Sequence, residues 1–254
     1  MYDYITELYD SVSRFEQLKK VAGYSEIARA KVTQKMFRKF LQTADRPCAV
    51  LEIGPGSGFI TEYLDKNLPE EGWCQLDLVD FSGGFLENTK QKNYKVREYI
   101  ELDVTLSQSP FPIQQKYDLI LFQEVLEHLV SPFVALNNIN AMLKPNGYLY
   151  LTIPNSGHWK RIFRETFLRK AFLRPKTFLD THISELSTIG LAKLVNMAGF
   201  DIKEVHYYSS RYPILKPLTS TQVGFFLEKA ETPEQRWKEL TAIIESRWSD
   251  GRAG

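Results

Sequence analysis

Glu52 stands two residues ahead of three glycines, Gly54, Gly56 and Gly58, which recur at every second position. An apolar run precedes them and an amphipathic stretch follows, the pattern of a strand, a tight turn and the start of a helix. Glycines in such a turn tolerate positive φ and let a ligand approach the backbone. Loops that hold nucleotide phosphates place Lys or bare backbone amides here. An acid suits a ligand with hydroxyls or positive charge instead. Asp80 follows Gly58 by 22 residues, where an acid accepts hydrogen bonds from ribose hydroxyls. It argues against a ribose 2′-phosphate, which needs a basic group. Asp103 ends the next strand pattern and can accept from an exocyclic amino group such as that of adenine. Phe81 and Leu102 can pack on the base. Each residue alone has a plainer reading, since glycines also serve packing and a strand-end Asp often caps a helix or a turn. Three acids at three successive strand ends are harder to ascribe to chance.

These residues need a frame that brings strand ends together. Residues 2–42 read as helical, with Ile5, Leu8, Val12 and Phe15, then Ile27, Val32, Met36 and Phe40, stepping by three and four. Strands and helices then alternate. Strands are expected over 49–53, 73–79, 96–102, 117–122, 148–153 and 200–207, with 223–227 a candidate seventh. Helices are expected over 59–68, 84–91, 124–129, 133–143 and 186–198. Lys144-Pro145-Asn146-Gly147 reads as a turn. The alternation implies a doubly wound parallel sheet covered on both faces. Ligands of such sheets lie beyond the carboxyl ends of the strands, which singles out Glu52, Asp80, Asp103 and Gln123-Glu124.

Bulk properties remove several classes. The 254 residues carry a net charge of +1, so no global field favours nucleic acid. Two cysteines, Cys48 and Cys74, make neither a disulfide framework nor a zinc site, and no metal is expected. The N-terminus lacks a signal-peptide pattern, and no run reaches the roughly 20 apolar residues of a membrane span. The expectation is a cytoplasmic protein, monomeric or homodimeric, without stable membrane insertion.

Several segments together resemble class I S-adenosylmethionine-dependent methyltransferases of the small-molecule branch. They are Leu51-Glu52-Ile53-Gly54-Pro55-Gly56-Ser57-Gly58, Asp77-Leu78-Val79-Asp80-Phe81-Ser82, Leu102-Asp103-Val104, Tyr117-Asp118-Leu119-Ile120, Glu124-Val125-Leu126-Glu127-His128-Leu129, Leu143-Lys144-Pro145-Asn146-Gly147 and Ala198-Gly199-Phe200. The resemblance implies a seven-stranded Rossmann-like sheet, mostly parallel with the last strand antiparallel, with N-terminal helices and a helical cap insertion. It implies S-adenosylmethionine (SAM) as methyl donor and S-adenosylhomocysteine (SAH) as product. Glu52 and the turn with Gly54, Gly56 and Gly58 would hold the methionine part, Asp80 the ribose and Asp103 the adenine amino group. Phe81, Val104 and Gln123 would line the donor pocket. The domains would be an N-terminal lid over 1–44, a SAM-binding domain over 45–230 with a cap at 156–184, and a C-terminal helix and tail over 231–254. Physics agrees: SAM carries a sulfonium and an ammonium, which match the charge of Glu52. A dehydrogenase is the rival cofactor reading, but its fingerprint has one more residue before the last glycine.

The methyl acceptor is less legible. The place where nucleic-acid amine methyltransferases carry Asp/Asn-Pro-Pro-aromatic is here Phe122-Gln123-Glu124-Val125. Residues 156–182 contain seven basic and two acidic residues, with Trp159, Phe163 and Phe167 stepping by four. This pattern fits a cap with an apolar face on the core and a solvated basic face. It also fits a mouth for an acidic substrate through Arg161 and Arg164, or a helix at a membrane surface. Tyr24 is a candidate lid residue. His128 and His182 are the candidate general bases, with structural roles as the alternative. The expected activity is O-methylation, at a hydroxyl or carboxylate of a small or medium-sized metabolite in natural-product biosynthesis. N- or C-methylation and a non-catalytic partner subunit are the alternatives.

Overall fold

The computed structural model describes residues 24–106, 112–159, 162, 163, 167, 183, 184, 186–208 and 213–230. Helix α1 (Tyr24–Thr43) leads into β1 (Cys48–Ile53), α2 (Phe59–Asp65), β2 (Cys74–Asp80), α3 (Gly83–Lys90), β3 (Glu98–Glu101) and β4 (Tyr117–Gln123). A 3₁₀ turn (Leu126–His128) precedes α4 (Pro132–Met142), β5 (Leu143–Pro154), α5 (Thr188–Met197) and β6 (Phe200–Tyr208). A 3₁₀ turn (Pro213–Leu215) and the short α6 (Lys216–Thr219) then lead to β7 (Gln222–Lys229).

The strands form one seven-stranded sheet in the order β3-β2-β1-β4-β5-β7-β6. The pairs from β3 across to β5 are parallel. β7 runs antiparallel to both β5 and β6. This is the Rossmann-like sheet that the alternation of elements implies, with the last strand reversed. Strand residues alternate between two cores because successive side chains point to opposite faces. Leu51, Ile53, Ile120, Phe122, Leu149 and Leu151 face α4 and α5. Val50, Leu76, Leu78, Leu119, Leu121 and Tyr150 face α1, α2 and α3.

Helix α1 buries Ala30, Thr33, Met36, Phe37 and Phe40. The expected stripe is therefore rotated at its start, where Ile27 is exposed and Ala30 takes the inner position. Thr33 is held in that stripe by hydrogen bonds, since its hydroxyl lies 3.0 Å from the Arg29 carbonyl and 3.1 Å from Gln123 Oε1.

Three other expectations are corrected. Residues 124–129 do not form a helix, so Glu124 and His128 do not share a helix face. Glu124 has φ 56°, and only Leu126–His128 make a 3₁₀ turn. The Glu124 N–H continues the sheet by bonding the Thr152 carbonyl at 2.9 Å, and its side chain bonds Thr152 and Gln222, which hold it out of a helix. The third strand ends at Glu101, leaving Asp103 in the loop beyond. The expected turn at 144–147 is an excursion inside β5: Leu143 pairs with Tyr117, and Tyr148 is the next to pair, with Leu119. The N-terminal segment before Tyr24, most of the cap and the C-terminal tail lie outside the described residues.

Candidate functional site

The carboxyl ends of β1, β2 and β4 sit side by side because the three strands are adjacent and parallel. Glu52, one residue from the end of β1, is 4% exposed, and its Oε2 accepts a 2.7 Å hydrogen bond from the Thr61 hydroxyl of α2. Burial pushes its carboxyl up to about 7, against the pull of Thr61 and of the Arg29 charge; Asp80 adds to the rise. A buried carboxyl in this condition favours a cationic neighbour, because an opposite charge stabilises its ionised form.

The turn after β1 is shaped for a ligand on one side and for packing on the other. Gly54 has φ 71°, and a Cβ there would run into Val125 Cγ2. Gly56 has φ 51°, and a Cβ there would meet nothing within 4 Å. Its backbone therefore borders open space, the approach that a side chain would obstruct. Gly58, also left-handed, is the N-cap of α2. Glu52, the open face at Gly56 and the strand-end position of Asp80 fit a group with a cationic amino-acid end and a ribose.

Asp80 ends β2, is 4% exposed, and its Oδ1 accepts the Ser82 N–H at 3.0 Å. Glu101 is its register partner on β3, and a Cβ on Gly83 would lie 2.7 Å from Glu101 Oε2. Asp103 Oδ1 accepts from the Thr105 N–H at 2.8 Å and the Thr105 hydroxyl at 2.7 Å. It thus makes a local turn with Thr105. Phe81 is half-buried beside Asp80. The Val104 side chain belongs to the core, and the Val104 carbonyl accepts from Asn138 at 2.8 Å.

Beyond β4 the structure joins Glu124 and His128, singled out in the sequence, to Glu127 and Arg29, which the sequence reading gave no role. Glu124 accepts from the Thr152 hydroxyl at 2.9 Å and from Gln222 Nε2 at 2.7 Å, with Arg29 Nη1 at 3.5 Å. A left-handed φ at a residue other than glycine is a sparsely populated, strained state, held here by those bonds. Glu127 is buried, and burial with the nearby Glu124 charge pushes its carboxyl up to about 8, with Arg29 opposing. The Glu127 carbonyl accepts the N–H groups of Ile183 and Ser184, both at 2.8 Å. His128 Nε2 lies 3.9 Å from Glu127 Oε1. Arg29 enters from α1, far away in sequence. The one available signal for these residues was the acid-rich Glu124-Val125-Leu126-Glu127 after a strand; nothing local marks Arg29.

The structure brings together Glu52, Gly54, Gly56, Asp80, Gln123 and the segment carrying His128. Trp159 is 49% exposed, its ring stacked with that of His158 at 6.2 Å. The Tyr24 side chain, Arg161, Arg164 and His182 lie outside the described residues. Among the described residues no cluster of His, Cys, Asp and Glu could hold a metal, and no helix is long and apolar enough to cross a membrane.

Comparison with known proteins then matches residues 24–205 to the methyltransferase domain family. Malonyl-[acyl-carrier protein] O-methyltransferase of Halalkalibacterium halodurans is 29% identical over 145 residues, which are 56% of this chain and 49% of that protein. This chain thus spans about half the length of that relative. The structure of the CurJ carbon methyltransferase is similar with a TM-score of 0.63 and 20% identity, over 84% of this chain and 57% of that one. Magnesium protoporphyrin IX methyltransferase from Synechocystis PCC 6803, solved with SAH, gives a TM-score of 0.63 at 12% identity, over 90% of this chain and 99% of that one.

Proposed function

The chain belongs to the S-adenosylmethionine-dependent methyltransferase domain family, and from that premise we propose that it moves a methyl group to an oxygen of a small or medium-sized metabolite. The observation that carries the donor half of the reading is Glu52, a buried carboxyl raised to about 7 beside the open turn at Gly56. A sulfonium amino acid supplies the positive charge that this carboxyl favours.

Each residue then has a part. Glu52 and the turn from Gly54 through Gly58 hold the methionine end. Asp80 accepts from the ribose hydroxyls, with Asp103 at the adenine amino group and Phe81 and Val104 along the base. Gln123 closes the wall at the end of β4. The cofactor supplies an activated methyl on a good leaving group. The chain's own task is to align the acceptor atom with that methyl and to keep water out. Residues 1–44 act as a lid, and a cap over 156–184, with Trp159, Arg161, Arg164 and Tyr24, shapes the acceptor side. His128 and His182 are the candidates for moving a proton. The O-methyltransferase activity printed in the name of the Halalkalibacterium halodurans relative supports oxygen as the acceptor.

The test is transfer of label from methyl-labelled SAM to a panel of hydroxyl, carboxyl, amine and activated-methylene compounds. Label in alkali- or hydriodic-acid-cleavable O-methyl groups is the expected result. Label confined to nitrogen or carbon contradicts the oxygen assignment.

A further inference from the structure

Four buried polar atoms near the carboxyl end of β4 have no hydrogen-bond partner among the described residues: Gln123 Nε2, Arg29 Nε, Glu127 Oε2 and Gln222 Oε1, the last on the side chain that bonds Glu124. The residues that carry them are tied into one neighbourhood. Thr33 reaches Gln123 Oε1 at 3.1 Å, and Arg29 Nη1 lies 3.5 Å from Glu124 Oε2. Glu127 feels the charges of both Glu124 and Arg29. Buried polar groups are ordinarily hydrogen-bonded, so each exception calls for an explanation.

The chemistry of the four atoms is mixed. Two are N–H donors, one is a carboxyl oxygen and one is an amide oxygen. A hydroxyl answers both kinds, since its lone pairs accept and its O–H donates. A carboxylate would bring its charge beside that of Glu124, with Arg29 already shared by Glu124. Like charges at a buried site disfavour one another's ionised forms. An alkylammonium, donor only, would face two N–H groups.

We propose, resting on the O-methylation reading above, that the methyl acceptor is a neutral hydroxyl and that Glu127 is the general base that takes its proton. The hydroxyl oxygen attacks the methyl carbon. The C–O bond forms as the C–S bond breaks, and the C–S electron pair stays on sulfur, leaving SAH. The O–H proton passes to Glu127 Oε2 and is released to solvent after turnover; His128 Nε2, 3.9 Å from Glu127 Oε1, is a charged neighbour when protonated.

Two features position the base. The Glu127 carbonyl is held by Ile183 and Ser184 N–H groups at 2.8 Å, and the Ser184 hydroxyl bonds the Leu129 carbonyl at 2.7 Å. The turn carrying the carboxyl is thus pinned by the chain returning from the cap region. Burial and Glu124 also raise Glu127 to about 8, a basicity suited to proton removal near neutral pH. Arg29, Glu124 and His128 are the charged or titratable groups around it.

The experiment gives wild type and Glu127→Gln methyl-labelled SAM with benzyl alcohol, p-cresol and benzoate as matched acceptors. The expected result is label on the alcohol or phenol oxygen, at a rate that rises with pH towards about 8. Glu127→Gln should lose about 10²–10⁴-fold of that rate while calorimetric SAM affinity stays unchanged. Label on benzoate alone, or a Glu127→Gln rate within a few-fold of wild type with the same pH profile, overturns the proposal. A ¹³C titration of the Glu127 carboxyl in the SAH complex stands beside it. A midpoint well above the ordinary carboxylate range supports the base, and an ordinary midpoint overturns it. Failure of the underlying reading looks different, because wild type would then bind no SAM or would label nitrogen or carbon only.

Discussion

In the proposed donor site, Glu52 and Asp80 act through two kinds of chemistry. Glu52 is ionised with difficulty while buried, so a cation gains most from it once the proton has left. SAM affinity should therefore rise with pH up to about 7 and flatten above it. Isothermal titration across that range checks this, and Glu52→Gln should bind more weakly with a flatter profile. Asp80 works by hydrogen bonds, so Asp80→Ala should weaken SAM binding by roughly 1–3 kcal/mol, the cost of stranding the groups that it serves. Unchanged affinity would remove Asp80 from the ribose. Gly54 is set by packing, because a Cβ there meets Val125 and also strains a positive φ. Gly56 faces open space but also has φ 51°, so Gly56→Asn, a residue that tolerates a left-handed φ, should weaken SAM binding while circular dichroism stays unchanged.

Helix α1 is the element that joins the proposed lid to the strand ends. Phe37 is buried in the core beneath it, and Thr33 and Arg29 reach Gln123 and Glu124 from the same helix. Phe37→Ala should destabilise the protein by about 3–5 kcal/mol through the cavity left behind, measurable by denaturant unfolding. Much of the element order is legible in the sequence, since buried strands read as apolar runs ending in Glu52-Ile53, Asp80 and Gln123. The segment after β4 is not legible in the same way. Its local pattern favours a helix, but Thr152 and Gln222, 28 and 98 residues from Glu124, hold that residue in a left-handed turn. The acceptor-side residues were missed for the same reason. Arg29 meets Glu124 only through tertiary packing, and the buried state of Glu127 depends on how the turn after β4 folds back.

Taken as a whole, the molecule concentrates buried carboxyl groups beyond the carboxyl ends of the central strands β1 and β4, with Arg29 of α1 opposing them among the described residues. Glu52 and Glu127 have folded-state values raised to about 7 and about 8. A raised carboxyl contributes stability that is fully present below its unfolded value and is lost as pH rises through the folded one. The thermal midpoint of the ligand-free protein should therefore fall between about pH 5 and pH 8. The double variant Glu52→Gln/Glu127→Gln should flatten that slope, which differential scanning fluorimetry reads directly. SAM should raise the midpoint most at the upper end of the range, where Glu52 is ionised.

Calorimetric titration of SAM and of NAD into the wild-type protein tests the central claim most directly. The account predicts saturable one-to-one binding of SAM, weakened in Asp80→Ala, and no measurable binding of NAD. Binding of NAD without SAM would contradict it.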